Sequence, residues 1–340
     1  MSSELFTLLA EIEREKGISK DVILEALEGA LISAYRRNFG ASQNTGVRIE
    51  ESGDIKIYAQ KTVVEKVEHP DDEISLEEAK LISKRKKLGD IVEFEVTPAA
   101  FGRIAAQTAR QVVLQRIREA EREKVYDEFS EKTNKIVNAV VRRVDRRNVI
   151  LEVGDMESVL MPNEQMNNDR YSPGTRLKVY VVDVANSPRG VHMVVSRSHP
   201  GLVRRLFELE VPEITTEVIE VKGLTREAGS RTKIAVKSNN TDVDAVGTCI
   251  GPRGIRVQKV IDELNGEKID IIKYSDDPKE FVTNALSPAK VQGVEVDEEN
   301  KVCRVKVMSD QLSLAIGKEG QNARLAARLT NWKIDISAVE

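Results

Sequence analysis

Two short stretches hold the residues best placed for chemistry, Ile250-Gly251-Pro252-Arg253-Gly254 and Ile316-Gly317-Lys318-Glu319-Gly320. Without Cβ atoms, a Gly-x-x-Gly loop can adopt positive φ and let another backbone lie against it. A helix starting just after the loop turns its free amides toward an anion. One such loop is weak evidence, because a turn between two helices reads the same way. Here, however, the loop occurs twice in the same setting. The first copy leads into an amphipathic helix with Val257, Val260, Ile261 and Leu264, then Asn265-Gly266, then Lys268-Ile269-Asp270-Ile271. The second leads into Ala323, Ala326, Ala327 and Thr330, then Asn331, then Lys333-Ile334-Asp335-Ile336. One fold is written twice.

The doubled pattern is similar to the KH module, whose Gly-x-x-Gly loop clamps about four nucleotides of single-stranded backbone. In that reading Gly251, Pro252, Arg253 and Gly254 grip RNA in the first copy, and Gly317, Lys318, Glu319 and Gly320 in the second. Arg253 and Lys318 are the direct phosphate partners, with Arg256 and Arg324 adding reach. Ile255, Val257 and Ile269 form an apolar floor for bases, and Gln321 and Asn322 hydrogen-bond base edges in the second copy. Val260, Ile261 and Leu264 read as ordinary core. Glu319 opposes a phosphate, so the second loop is expected to grip less tightly or to face bases.

The elements that must position these loops fill a chain of 340 residues, too long for one small core. With 40% hydrophobic and 32% charged residues it reads as folded rather than disordered. The net charge is −4, and even the most basic segment, 131–200, has only 11 basic against 8 acidic residues. RNA binding must therefore come from shaped sites, not from a polybasic arm. Met1-Ser2-Ser3-Glu4-Leu5 lacks the basic start and apolar run of a secretory signal. No stretch is long and apolar enough to span a bilayer. Cys249 and Cys303 show neither metal-ligand spacing nor a disulfide framework, so a reducing cytoplasm is expected.

Residues 1–130 read as a mixed α+β head. Leu5, Leu8, Leu9 and Ile12 recur at helical spacing. Ser19 caps a second helix with Ile23, Leu27, Leu31 and Ala34 on one face, ending at Gly40. Val47–Ile49 and Ile55–Ile57 flank Ser52-Gly53-Asp54 as a hairpin, Ser75 and Glu78 form a capping box, and Ile91–Val96 is a strand. A long helix follows over 101–130, with Phe101, Ile104, Ala105, Thr108 and Val112 on one face and Arg103, Arg110 and Arg118 opposite. Beyond Gln115 it turns charged and reads as a solvated connector. From 133 to 199, five short strands (136–144, 149–153, 159–161, 177–184 and 191–196) suit a five-stranded OB-fold barrel. Residues 131–200 contain no Phe or Trp, only Tyr171, Tyr180, His192 and His199, so base stacking on the barrel is not expected. Arg142, Arg143, Arg146 and Arg147 point instead to phosphate contact or a spacer role.

The whole resembles the NusA family of bacterial transcription factors. The resemblance rests on Ile32-Ser33-Ala34-Tyr35-Arg36-Arg37-Asn38-Phe39-Gly40, on Phe101-Gly102-Arg103-Ile104-Ala105-Ala106-Gln107-Thr108-Ala109, and above all on the run from Gln311 to Ala326. It implies a polymerase-binding head over 1–130, an S-one-type OB barrel over 133–199, and two KH domains over 200–277 and 278–340. It implies RNA polymerase, nascent single-stranded RNA and other Nus-type antitermination factors as partners. The implied role is in pausing, intrinsic termination and antitermination, as a cytoplasmic monomer without cofactor or catalysis. Some family members continue into acidic C-terminal repeats, which this sequence is expected to lack. Arg36, Arg37, Arg103 and Arg110 read equally well as contacts to RNA or polymerase and as solvated helix positions. An enzyme is the alternative of a different class. His69, His192 and His199 are scattered, and no phosphate-binding Gly-x-x-x-x-Gly-Lys-Ser/Thr loop is present. A protein-binding scaffold is another alternative, and it predicts RNA affinity indifferent to Arg253 and Lys318.

Overall fold

The computed structural model describes residues 2–39, 44–50, 54–70, 72–83, 85–187 and 190–339, with the side chains of 2–5 excepted. Gly40, Ser52, Gly53 and the Leu5 side chain thus lie outside the described residues. The chain divides into two compact units, 1–125 and 126–340.

In the first unit, α1 (Ser2–Lys16) and α2 (Lys20–Phe39) form as expected, but of the α1 leucines Leu8 is 46% exposed while Leu9 and Ile12 turn inward. Leu9, Ile12 and Ile23 pack with Val113 of α4 (Phe101–Ser130). Leu27, Leu31 and Tyr35 pack with Ile57, Phe101 and Ala105. Four strands form the sheet: β1 (Thr45–Ile49), β2 (Ile55–Val64), β3 (Glu73–Ser75) and β4 (Ile91–Glu95). The long β2 pairs with all three others, antiparallel to β1 and β4 and parallel to β3. Ser75 caps α3 (Leu76–Ile82) by accepting from the Glu78 amide. Beyond Gln115 the helix passes between the two units and is exposed or half-buried over most of its length, as expected of a solvated connector, but it is anchored at both ends. Ile117 packs against the Leu9 cluster, and Phe129, 6% exposed, sits in the barrel core beside Tyr126. Charged residues dominate this part of the helix by number, and the few apolar ones decide its packing.

In the second unit, β5 (Ile136–Asp145), β6 (Asn148–Val153), β7 (Met156–Leu160), β8 (Arg176–Ser187) and β9 (Gly190–Ser196) close a barrel in the order β5-β6-β7-β9-β8. All five expected strands are present. Period-2 alternation puts Val149, Leu151 and Val153 inside with Val179, Val181 and Val195.

Two similar modules follow. The first comprises α5 (Pro200–Glu210), α6 (Pro212–Thr215), β10 (Ile219–Glu227), β11 (Arg231–Ser238), α7 (Ala245–Ile250), α8 (Ile255–Glu263) and β12 (Lys268–Lys273). The second comprises α9 (Pro278–Ala285), β13 (Val291–Asp297), β14 (Val302–Met308), α10 (Leu312–Ile316), α11 (Gln321–Thr330) and β15 (Lys333–Val339). In each three-stranded sheet the first pair is antiparallel and the second parallel. Each first strand also slips register at the same point, Val221/Gly223 and Val291/Gly293.

The two modules share a core. Ala235 and Ile272 of the first sheet are buried with Phe281, Val282, Ala285 and Ala326 of the second module. A Cβ on Gly223 would lie 3.2 Å from the Leu329 side chain, so the bare backbone of β10 lets α11 settle close. Thr232 to Val236 of β11 are consequently all buried. On β14 only Cys303, Val305 and Val307 are buried, whereas Arg304 and Lys306 face solvent and pair with Asp297 and Glu295.

Candidate nucleic-acid interface

Each Gly-x-x-Gly loop joins a short helix to an amphipathic one, and the two backbones match within a few degrees. Gly251 has φ 76°, ψ 169° and Gly317 has φ 76°, ψ 172°. Arg253 and Glu319, both non-glycine, are left-handed at φ 54°, with ψ 25° and 27°. Gly254 and Gly320 cap the second helices at φ 77° and 74°, with no side chain filling the cap. The same bonds close each turn, from the Gly254 amide to the Gly251 carbonyl and from the Gly320 amide to the Gly317 carbonyl. A left-handed non-glycine residue costs roughly 1–2 kcal/mol. The same left-handed residue thus recurs at one position of both loops, as it does at Asn265 and Asn331 where the following helices end.

Both loops are at the surface. Pro252, Arg253, Lys318 and Glu319 are exposed. Among the described residues, Arg253 and Lys318 have no side-chain hydrogen bond or ion pair, so their charges face solvent. Beside the loops, Ile250, Ile255, Leu314 and Ile316 are exposed apolar residues. Ile255 thus offers the expected apolar surface, whereas Val257 and Ile269 are partly buried against the first module's core.

Four expected contacts are corrected by the geometry. Asn322 is only 2% exposed and donates to the carbonyls of Leu286 and Ala315, so it cannot reach a base edge. Gln321 donates to Glu227 and Ser230 of the first module (2.7 and 2.8 Å). Arg324 is engaged by Glu227 (2.7 Å) and by the Glu319 carbonyl. Arg256 is held by Glu213 and the Thr248 carbonyl, which positions α8 against α6. Polar residues of the second helix thus bind the modules to each other, a use that loop spacing alone cannot reveal. On the barrel, Arg142 pairs with Glu152 and Arg143 with Glu157, which weakens the case for phosphate contact there. Arg103 and Arg110 lie on the exposed face of α4, and Arg36 and Arg37 in the exposed last turn of α2.

Sequence reasoning missed the buried ionic network that fixes the loops' frame. Arg197, 1% exposed, donates to both Asp169 oxygens (2.7 and 2.9 Å), to the Lys178 carbonyl, and to the side chain and backbone of Glu263 at the end of α8. Arg226 and Glu267 form a second buried pair, with Thr232 and the Gly229 amide also donating to Glu267. Lys233, fully buried, donates to Asp270 and to the Ser287 carbonyl of the second module. Barrel and modules are stapled together through charges.

Burial alone would raise the Asp169 carboxyl. Hydrogen bonding and charge from Arg197 outweigh it, with Asn265 and Tyr171 adding, and hold the group below the usual carboxylate range. Asp270 is depressed in the same way by Arg231 and Lys233. Carboxylates depressed on folding stabilise the native state above the unfolded value, and that stability is lost as pH falls through the folded one. Urea unfolding of the 126–340 unit is therefore expected to shift to lower denaturant as pH drops below about 4. A flat profile from pH 5 to 2 would contradict this.

Among the described residues, no group of three or more His, Cys, Asp or Glu is placed to hold a metal, and no helix is long and apolar enough to cross a membrane. Cys249 and Cys303 are free and buried, and burial pushes the Cys249 thiol up to about 12.

An α-β-β-α-α-β module with an exposed glycine loop between its two adjacent helices, repeated behind an OB-like barrel, defines a tandem KH RNA-binding protein. Three family models match the chain: the NusA N-terminal domain over 4–123, the NusA-like first KH domain over 197–274, and the NusA-like second KH domain over 278–340. The transcription termination/antitermination protein NusA of Bacillus subtilis (strain 168) is 54% identical over 339 residues, covering 99% of this chain and 91% of that protein. Its counterpart in Thermus thermophilus is 43% identical, covering 100% and 91%. A solved N-terminal domain of NusA from B. subtilis is 57% identical over 36% of this chain and 99% of its own, with a TM-score of 0.33. The chain belongs to the NusA family of transcription termination/antitermination proteins.

Proposed function

We propose that this chain binds RNA polymerase through residues 1–130 and nascent single-stranded RNA through its two KH loops. In doing so it modulates pausing, intrinsic termination and antitermination in the cytoplasm, by binding and without catalysis. The observation that carries the RNA reading is the pair of exposed, superposable loops with uncommitted cations at Arg253 and Lys318. The polymerase reading rests on family membership. Other Nus-type factors are proposed as further partners of the monomer on the same basis.

The two cations occupy different places. Arg253 stands at the left-handed position, which Glu319 fills in the second loop, and Lys318 stands one residue earlier, where the first loop has Pro252. The first loop is therefore proposed as the stronger clamp. Arg253→Asp is expected to weaken single-stranded RNA binding by tenfold or more, the size of a lost charge-assisted contact. It should also flatten the salt dependence by about 0.7 in log-log slope. Lys318→Asp is expected to have the smaller effect. Binding measured by anisotropy at several salt concentrations, paired with a transcription assay on a hairpin-pause template, tests both. Affinity unchanged by either variant would favour the protein-scaffold alternative.

A further inference from the structure

The geometry points to a third RNA contact, a nucleotide-sized pocket where the barrel meets the first KH module, built to stack one base of the bound strand on His199 and hold its phosphate with Arg204. The inference rests on the RNA-binding reading and extends it to residues that neither KH loop contains.

The pocket has a volume of about 570 Å³, with His199, Gly201, Arg204, Tyr180 and Leu224 in its wall. That is within the range of small-ligand sites, about 300–1,000 Å³. Its defining feature is a stack: the Tyr180 and His199 rings lie 4.6 Å apart and 5° from parallel. Tyr180 is buried and fixed by a hydrogen bond from its hydroxyl to Asn134 Oδ1 (2.9 Å), while His199 is exposed. The stack requires Gly201, because a Cβ there would lie 2.5 Å from the tyrosine ring. His199 Nδ1 accepts the Gly201 amide at the start of α5, which leaves the ring proton on Nε2 as a donor. Imidazole rings and guanidinium planes are both platforms on which single-stranded RNA bases stack.

The charges suit a nucleotide. Arg205 is committed, donating to the Asn134 carbonyl and pairing with Glu208. Arg204 makes only a 3.4 Å contact to the Val221 carbonyl and lies 3.8 Å from Glu208, with its side chain 54% exposed. Two arginines against one carboxylate leave a net positive charge at the mouth. Leu224 supplies apolar surface for a base edge.

Its place in the fold is also right. α5 packs along α8, the helix that follows the first loop. At one end of this pair, Lys259 and Arg256 tie α8 to Glu210 and Glu213. At the other, Glu263 reaches Lys178 and Arg197 of the barrel, beside the stacked rings. The pocket and the loop thus stand at opposite ends of a nine-residue helix, about 13 Å long.

The test uses the whole chain and single-stranded RNAs of increasing length, with 2-aminopurine at successive positions. His199→Asn keeps a side-chain cap for α5 but removes the ring, and Arg204→Ser removes the cation without touching the stack. Wild type is expected to gain affinity as the RNA lengthens past the loop and to quench 2-aminopurine at one position. His199→Asn should lose about tenfold on the longer RNA, the size of one base stack, and leave that position bright, while Arg204→Ser should lose about tenfold there through its phosphate contact. Short RNAs should bind all three proteins alike. If both variants melt like wild type yet retain its length dependence and quenching, the pocket is not an RNA site. If wild type binds no RNA of any length, it is the RNA reading itself that fails.

Discussion

An Arg197→Ala variant is expected to lose about 3–5 kcal/mol of stability in the 126–340 unit, measured by urea unfolding. The effect is large because the arginine is not a surface charge whose partners rehydrate. Its guanidinium serves two carboxylates and two carbonyls from a position 1% exposed. Truncation strands Asp169, 3% exposed, without its counter-charge. An uncompensated buried charge is far more costly than the intact pair is favourable. Arg197→Met, which restores apolar volume but not charge, should also destabilise, since Asp169 stays behind. The double variant Arg197→Met/Asp169→Leu removes both charges and should recover a good part of the loss. A loss below about 1 kcal/mol in the single variants would show that the network is wet and replaceable.

The first glycine of each KH loop should be the least replaceable residue of the site. At φ 76° with ψ near 170°, Gly251 and Gly317 occupy a region that is essentially closed to other residues. At Gly317 a Cβ would stand 2.8 Å from the Asn322 backbone nitrogen, which cannot swing aside, whereas at Gly251 the obstacle is the Arg256 side chain (2.7 Å). Gly317→Ala is expected to destabilise by about 1–3 kcal/mol or more and to distort the start of α11, with Gly251→Ala somewhat milder. Gly254 and Gly320 differ, because open space surrounds the Cβ position at Gly254 and the nearest atom at Gly320 is 4.0 Å away. Asn, which tolerates the left-handed region, should fold well at 254 or 320 and still hinder an RNA backbone approaching there. Comparing melting curves with RNA affinity for the four variants separates the two roles. Equal melting temperatures for Gly317→Ala and Gly320→Asn would contradict the assignment.

The sequence made the architecture legible wherever periodicity was strong. The face of α2, the five barrel strands and the doubled loop-helix-strand unit all follow from residue spacing. The repeat ran deeper than the loops: Val221-Lys222-Gly223 and Val291-Gln292-Gly293 mark the same bulge in both sheets, a signal present in the sequence but read only with the register known. What stayed hidden depended on contacts between distant residues. Asn322, Gln321 and Arg324 have the chemistry of RNA-binding residues and stand where a KH helix begins. Only their buried or cross-module partners, Leu286, Glu227 and Ser230, show that they hold protein to protein. His199 and Tyr180 lie 19 positions apart in the chain, and nothing in their spacing announces a stack.

The doubly buried β11 and the singly buried β14 give the KH pair a direction. Cutting the chain after the first module would uncover Ala235 and Ile272 and leave Lys233 without the Ser287 carbonyl, turning a finished interior into an adhesive surface. The first module is thus a middle piece by construction, and the second, with Arg304 and Lys306 on its outer sheet face, is fitted to meet water. Any dissection of this protein into working parts has to keep the two together.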